Sequence, residues 1–182
     1  IIERSASRNN MAAIKERAQG AALYGVVSGQ GGGVGAVRLA RLLRDAGVTR
    51  FGVNSVEEAQ LLRESGFETE EILMLRSTVD REELEQLVDL SVVCTVSSVD
   101  TGLALNAVAE NRSTVAEAHI QVDTGLGFGG FLISEPEKIL LAYRSLPNVA
   151  LSGIYTQLHA VTGKSQEVDG QLGQFQQVLE AI

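Results

Sequence analysis

At 182 residues, with 45% apolar and 21% charged residues, the chain is long enough to bury one sizeable core and too short for two large domains. A formal charge of −8, with lysine and arginine scattered among acids, excludes a nucleic-acid footprint, and the composition excludes disordered and collagen-like chains. The single cysteine, Cys94, permits no internal disulfide and sits in an apolar run that predicts an inert thiol, and no membrane-length apolar stretch or signal-peptide core is present, so a cytoplasmic protein is expected.

Taken in chain order, residues 10–19 carry helical spacing through Met11, Ile14 and Ala18, with Gly20 as the stop. Residues 21–27 form an apolar run too short for a helix, typical of a parallel strand buried on both faces. Residues 34–46 are amphipathic and close on Gly47. The pattern then repeats: strands at 51–53, 72–75, 92–96, 119–122 and 149–155 lead to helices at 56–64, 81–90, 101–110, 135–143 and 171–182. Six strand–helix units spaced as right-handed βαβ crossovers require predict an α/β fold, either an open doubly wound sheet or part of an eight-unit barrel. Residues 1–182 are expected to form one domain. The last helix runs to Ile182 without a cap, from which the natural chain is expected to continue.

The turn after the first strand, Ser28-Gly29-Gln30-Gly31-Gly32-Gly33-Val34-Gly35, is where a β/α protein places its chemistry, yet it holds no lysine, histidine, acid or cysteine. Gly31 to Ala36 satisfies G-x-G-x-x-A, but the second strand ends Gly52-Val53-Asn54-Ser55 without the acid that would hold a ribose. The same turn lacks the Lys-Ser or Lys-Thr pair of a nucleotide P-loop. A dinucleotide turn, a phosphate-binding turn and a flexible loop with no ligand all stay open. Asp123-Thr124-Gly125 ends the fifth strand, placing a carboxylate and a hydroxyl at the ligand-binding rim, with turn capping by Asp123 as the commoner use. Phe128 and Phe131 are expected to pack under that loop. Thr156, Gln157 and His159 follow the sixth strand; His159 is either a general base or a surface or capping residue, and His119 lies within a strand. Two distant histidines offer no metal-site spacing. The acid pairs Glu57-Glu58, Glu70-Glu71 and Glu82-Glu83 are expected to begin helices, where the dipole favours them.

Residues 24–40, 51–66, 120–131 and 153–156 together resemble the pyridoxal-phosphate barrel domain of alanine racemase and related amino-acid racemases, a likeness running from Arg8-Asn9-Asn10 to Gln174-Phe175. The resemblance implies a TIM-like (β/α) barrel, about six of its eight units present here. The family reads roughly Val-Val-Lys-Ala-Asn-Ala-Tyr-Gly-His-Gly after the first strand, where the lysine forms a Schiff base with the cofactor. On that alignment Ser28 takes the lysine's place and Gly32 the tyrosine's. Phe128 takes the place of an arginine that approaches the cofactor's phenolic oxygen, and Gln157 that of a histidine beside the pyridine ring.

A serine hydroxyl forms no imine and cannot replace the amine in transimination or proton transfer. The resemblance therefore implies a scaffold descended from a pyridoxal-phosphate enzyme, catalytically inactive as it stands and not holding that cofactor covalently. The alternatives are an active racemase completed by segments outside this chain, with Lys164 the one lysine placed to enter the site, and a nucleotide or phosphate binder through residues 29–35. Unpaired outer strands and the family's habit lead us to expect a homodimer, or pairing with a C-terminal part.

Overall fold

In the computed structural model residues 4–159 and 165–182 are described, and they fall into two compact units: the described residues of 1–76 with 89–92, and those of 77–88 with 93–182.

The first unit runs α1 (Arg4–Arg17), β1 (Tyr24–Val26), α2 (Ser28–Gly33), α3 (Ala36–Asp45), β2 (Arg50–Val53), α4 (Val56–Glu64) and β3 (Glu71–Met74). Its strands lie in the order β1-β2-β3, all parallel, with Gly25 opposite Phe51 and Phe51 opposite Ile72. Phe51, Val53, Ile72 and Met74 are fully buried, as expected of strands covered on both faces. The helices stop alike. After α3, Gly47 adopts φ 82° while Val48 N–H donates to Leu43 O at 3.0 Å; after α4, Gly66 adopts φ 87° while Phe67 N–H donates to Leu62 O at 3.2 Å. Each glycine takes the left-handed position that lets the chain turn back onto the last carbonyls. Phe67 then meets Phe51 edge-on at 5.2 Å between centroids, and the Arg44 guanidinium lies 4.3 Å over the Phe67 ring. Arg63 stitches this end of the unit, donating to the carbonyls of Phe67, Glu70, Leu90 and Ser91 at 2.7–2.9 Å.

The second unit contains most of α5 (Arg81–Asp89), then β4 (Cys94–Val96), α6 (Val99–Asn111), β5 (Ala116–Asp123), β6 (Phe131–Leu132), α7 (Pro136–Ser145), β7 (Val149–Thr156) and α8 (Ser165–Ala181). β5 is its central strand. It pairs in parallel with β7 from Ala116 to Val122, which leaves its other edge to β4 and, further along, to β6. The β5–β7 register slips between Ala118 and His119, so Ser152 is an extra residue in β7. The slip sets Gly153 opposite His119, and a Cβ on Gly153 would come within 2.7 Å of the imidazole. α6 opens with a capping box, the Ser98 hydroxyl accepting from Thr101 N–H and Thr101 Oγ1 accepting from Ser98 N–H.

The β/α alternation expected from the sequence is present, with differences in detail, one being that α8 begins at Ser165 rather than Gln171. α1 begins at Arg4 rather than Asn10, because its polar first turns are exposed and leave no apolar period to read. β6 is an additional short strand. Glu70 and Glu71 do not begin a helix: Glu71 opens β3, and the two acids pair with Arg44 and Arg50 at 3.3 Å each. Phe128 does not pack under its loop, being 74% exposed, whereas Phe131 in β6 is buried.

Candidate functional site

The turn leaving β1 is not a loose loop. Gly29, Gln30, Gly31 and Gly32 share φ near +60° and ψ between 31° and 44°, one turn of left-handed helix. Each L-residue in that conformation costs about 1–2 kcal/mol, which is why the run is glycine except at Gln30. Gly31 N–H donates to Val27 O at 2.9 Å and Gly35 N–H to Gln30 O at 2.8 Å, so the spiral uses its own carbonyls. Ser28, half-buried, begins the turn at the mouth-side end of β1. Glu58, from the first turn of α4, holds the turn to the next strand: its carboxylate accepts from Gly29 N–H at 2.7 Å and from Asn54 N–H at 2.9 Å. Ser55 caps the same helix by accepting from Glu58 N–H. Glu58 is therefore more than a favourable charge at a helix start.

At the ends of β5 and β7 the second unit carries a polar rim. Asp123 Oδ1 accepts from Gly125 N–H at 2.9 Å and Gly127 N–H at 3.1 Å, the capping role expected of it. Thr124 Oγ1 lies 2.8 Å from Thr156 Oγ1. Gln171 of α8 is buried and bridges both strands' loops, donating from Nε2 to Thr124 Oγ1 at 3.1 Å and accepting at Oε1 from His159 N–H at 2.7 Å. The Thr124 hydroxyl thus accepts from the Gln171 amide and shares a further hydrogen bond with the Thr156 hydroxyl. Behind the rim Tyr155 OH meets Thr95 Oγ1 at 2.9 Å; burial raises the phenol's pKa, opposed by the bond to Thr95. Cys94 is buried and burial pushes its thiol up to about 12, so it stays protonated and inert as the sequence suggested.

Ser28 and Gly32 thus share the left-handed turn of the first unit, while Phe128 and Gln157 lie in the loops of the second with exposed side chains. Adding a Cβ at Gly32 meets nothing within 4 Å, so its constraint is φ +64° alone. His159 contributes its backbone to the rim, and its side chain faces outward beside Gln171 in a cavity of about 380 Å³. Of the three lysines, Lys15 donates to Ala46 O and Lys138 pairs with Glu135 at 2.8 Å; Lys164 lies outside the described residues. No cluster of three metal-ligating side chains occurs among the described residues, nor any helix long and apolar enough to cross a membrane. Sequence reasoning read Glu58 only as a helix-starting acid and missed its bond to Gly29, 29 residues away, and it missed Gln171, whose partner Thr124 lies 47 residues away.

The family model for the alanine racemase N-terminal domain matches residues 2–182. An alanine racemase of Clostridium novyi is 31% identical over 176 residues, which is 96% of this chain and 45% of that protein. One of Clostridium tetani is 34% identical over 149 residues, covering 81% and 38%. The crystal structure of alanine racemase from E. faecalis superposes with a TM-score of 0.85 at 30% identity, covering all of this chain and 49% of the other. The chain spans about half the length of the relatives it matches or less. Its parallel β/α units are a partial set of a TIM-like barrel. On sequence and fold together, the chain belongs to the alanine racemase N-terminal domain family.

Proposed function

We propose that this domain keeps the scaffold of a pyridoxal-phosphate amino-acid racemase without its reaction. What supports this is the residue at the end of β1: on the resemblance, Ser28 takes the place of the family's Schiff-base lysine, and its alcohol forms no imine. Neither described lysine is available to substitute, since Lys15 is bound to the carbonyl of Ala46 and Lys138 to Glu135. The family depends on pyridoxal phosphate, which supplies the electron sink for Cα chemistry when bound. The residues here do not fit covalent attachment of that group. Ser28 lacks the amine, Gly32 lacks the phenol, and Phe128 offers an exposed ring where a guanidinium is expected.

What remains is a binding domain with a shaped turn and a pre-ordered polar rim. Added pyridoxal phosphate is expected to give no 420 nm band that borohydride reduces and traps, and purified protein is expected not to interconvert L- and D-alanine. A reducible adduct mapped by mass spectrometry to Lys164, or racemisation, overturns this reading and favours an active racemase.

We extend the proposal to assembly. β1 is an edge of its sheet and Val26 is 52% exposed, an arrangement proteins ordinarily cover. A homodimer covering that edge is expected in light scattering, and a monodisperse monomer speaks against it.

A further inference from the structure

Beside the left-handed turn, but lined by neither Ser28 nor Gly32, a half-open cavity of about 550 Å³ runs along α3, with Leu61 of α4 also lining it. Two arginines one turn apart on α3, Arg38 and Arg41, project along it. Both side chains are exposed, in contrast to Arg44, Arg50 and Arg63 of this unit. Arg44 and Arg50 pair with glutamates, Arg63 is saturated by carbonyls, and Arg76 donates to Asn54 O. Among the described residues Arg38 and Arg41 have neither ion pair nor hydrogen bond, although Asp45 stands at i+4 from Arg41 and lines the far end of the same cavity. A chain of net charge −8 that leaves two adjacent guanidinium groups unneutralised holds a local field of opposite sign to its surroundings.

The rest of the lining agrees in sign and shape. α3 starts at Gly35 with no side-chain cap, so the first amides, up to Arg38, lack intrahelical acceptors. The amides of Gly29, Gly31 and Gly35 are taken by Glu58, Val27 O and Gln30 O, and the arginines and the start of α3 are the groups that would take an anion. Gln30, the one L-residue of the spiral, lines the same cavity and offers an amide. Val37, Leu42 and Leu61 supply an apolar wall. Guanidinium forks favour tetrahedral oxyanions that accept two parallel bonds, and the volume leaves room for an organic body against the leucines.

We propose that this cavity binds an organic phosphomonoester, its phosphate between Arg38, Arg41 and the start of α3 and its body against Leu42 and Leu61. The site is independent of the reading drawn from Ser28. Inorganic phosphate and phenyl phosphate are titrated into the whole chain while amide proton–nitrogen shifts are followed. Saturable shifts at Ala36, Val37 and Arg38 are expected, with phenyl phosphate at least fivefold tighter than phosphate and phenol without effect. The R38Q/R41Q variant is expected to weaken phenyl phosphate at least tenfold with an unchanged urea midpoint. The variant R8Q/R144Q removes the same charge from exposed arginines of α1 and α7 and is expected to change affinity less than twofold. Should the double α3 variant not fold, each single variant carries the test with about a threefold loss. Equal affinity for both probes, shifts scattered over the surface, or equal losses in the two double variants mean an adventitious ion only and overturn the proposal.

Discussion

The turn after β1 and the loop after β5 are both glycine-rich, yet Gly32 of the first and Gly130 of the second serve different purposes. Gly29, Gly32 and Gly33 of the first, like Gly125, Gly127 and Gly129 of the second, have open space where a Cβ would stand and are demanded by positive φ alone, whereas a Cβ on Gly31 would come within 3.2 Å of Leu39. In the second, a Cβ on Gly130 would come within 2.7 Å of Asp123 N and 2.9 Å of Val122 C, so the backbone of β5 itself fills the space. Gly32 is a matter of conformational preference, in a turn held to its neighbour strand by one carboxylate. At Gly130 close packing is added, in a loop reinforced by Asp123, Thr124 and Gln171. A glycine that is merely strained when replaced tolerates substitution; a glycine whose place is occupied does not.

The largest expected effect follows from that contrast. Gly130→Ala combines φ +121° with a backbone clash, and a loss of roughly 3 kcal/mol or more in urea unfolding is expected. Gly32→Ala meets only the conformational term and is expected to lose about 1 kcal/mol. If the two losses are equal, the distinction between the turns fails.

Next in size is the rim's buried amide. Gln171→Leu keeps the volume but strips Thr124 Oγ1 of a donor and His159 N–H of its acceptor, for a cost of roughly 2 kcal/mol. Hydrogen exchange at His159 is expected to accelerate in that variant while exchange in β2 stays unchanged. In the other region Glu58→Ala leaves the amides of Gly29 and Asn54 to water at a cost of about 1–2 kcal/mol, with faster exchange confined to those two positions. Acceleration across all of β5 in either variant would show that the regions are not held separately as described.

These differences set what the sequence reveals. The succession of strands and helices is legible because burial on both faces writes continuous apolar runs such as Ile72 to Leu75, and because Ser55 and Glu57-Glu58 mark the start of α4 to the residue. The capping role of Asp123 is legible too, its partners being two and four residues away. The handedness of the first turn is not. Five glycines permit several backbones, and the choice of a left-handed spiral depends on Glu58, which approaches from another helix. Gln171 likewise reads as one polar residue of an amphipathic helix until the fold brings Thr124 against it. Phe128 misleads for the opposite reason: an aromatic among glycines suggests a core contact, whereas the loop, fixed by Asp123, turns it outward.

Gln30 gives the finest probe of the comparison. It is the single position of the first turn where an L-residue bears the left-handed cost, and no neighbouring glycine can relieve it because each already has the same dihedral angles. Gln30→Gly removes that cost but widens the unfolded ensemble, so the net gain is expected to be small, about 0.5–1 kcal/mol in urea unfolding. The sign is the informative quantity. A gain means that the turn's conformation, and not a contact of the glutamine side chain, limits stability there. A loss means that the amide makes a stabilising contact strong enough to outweigh its backbone strain, and the first turn would then join the second as one held by side-chain packing.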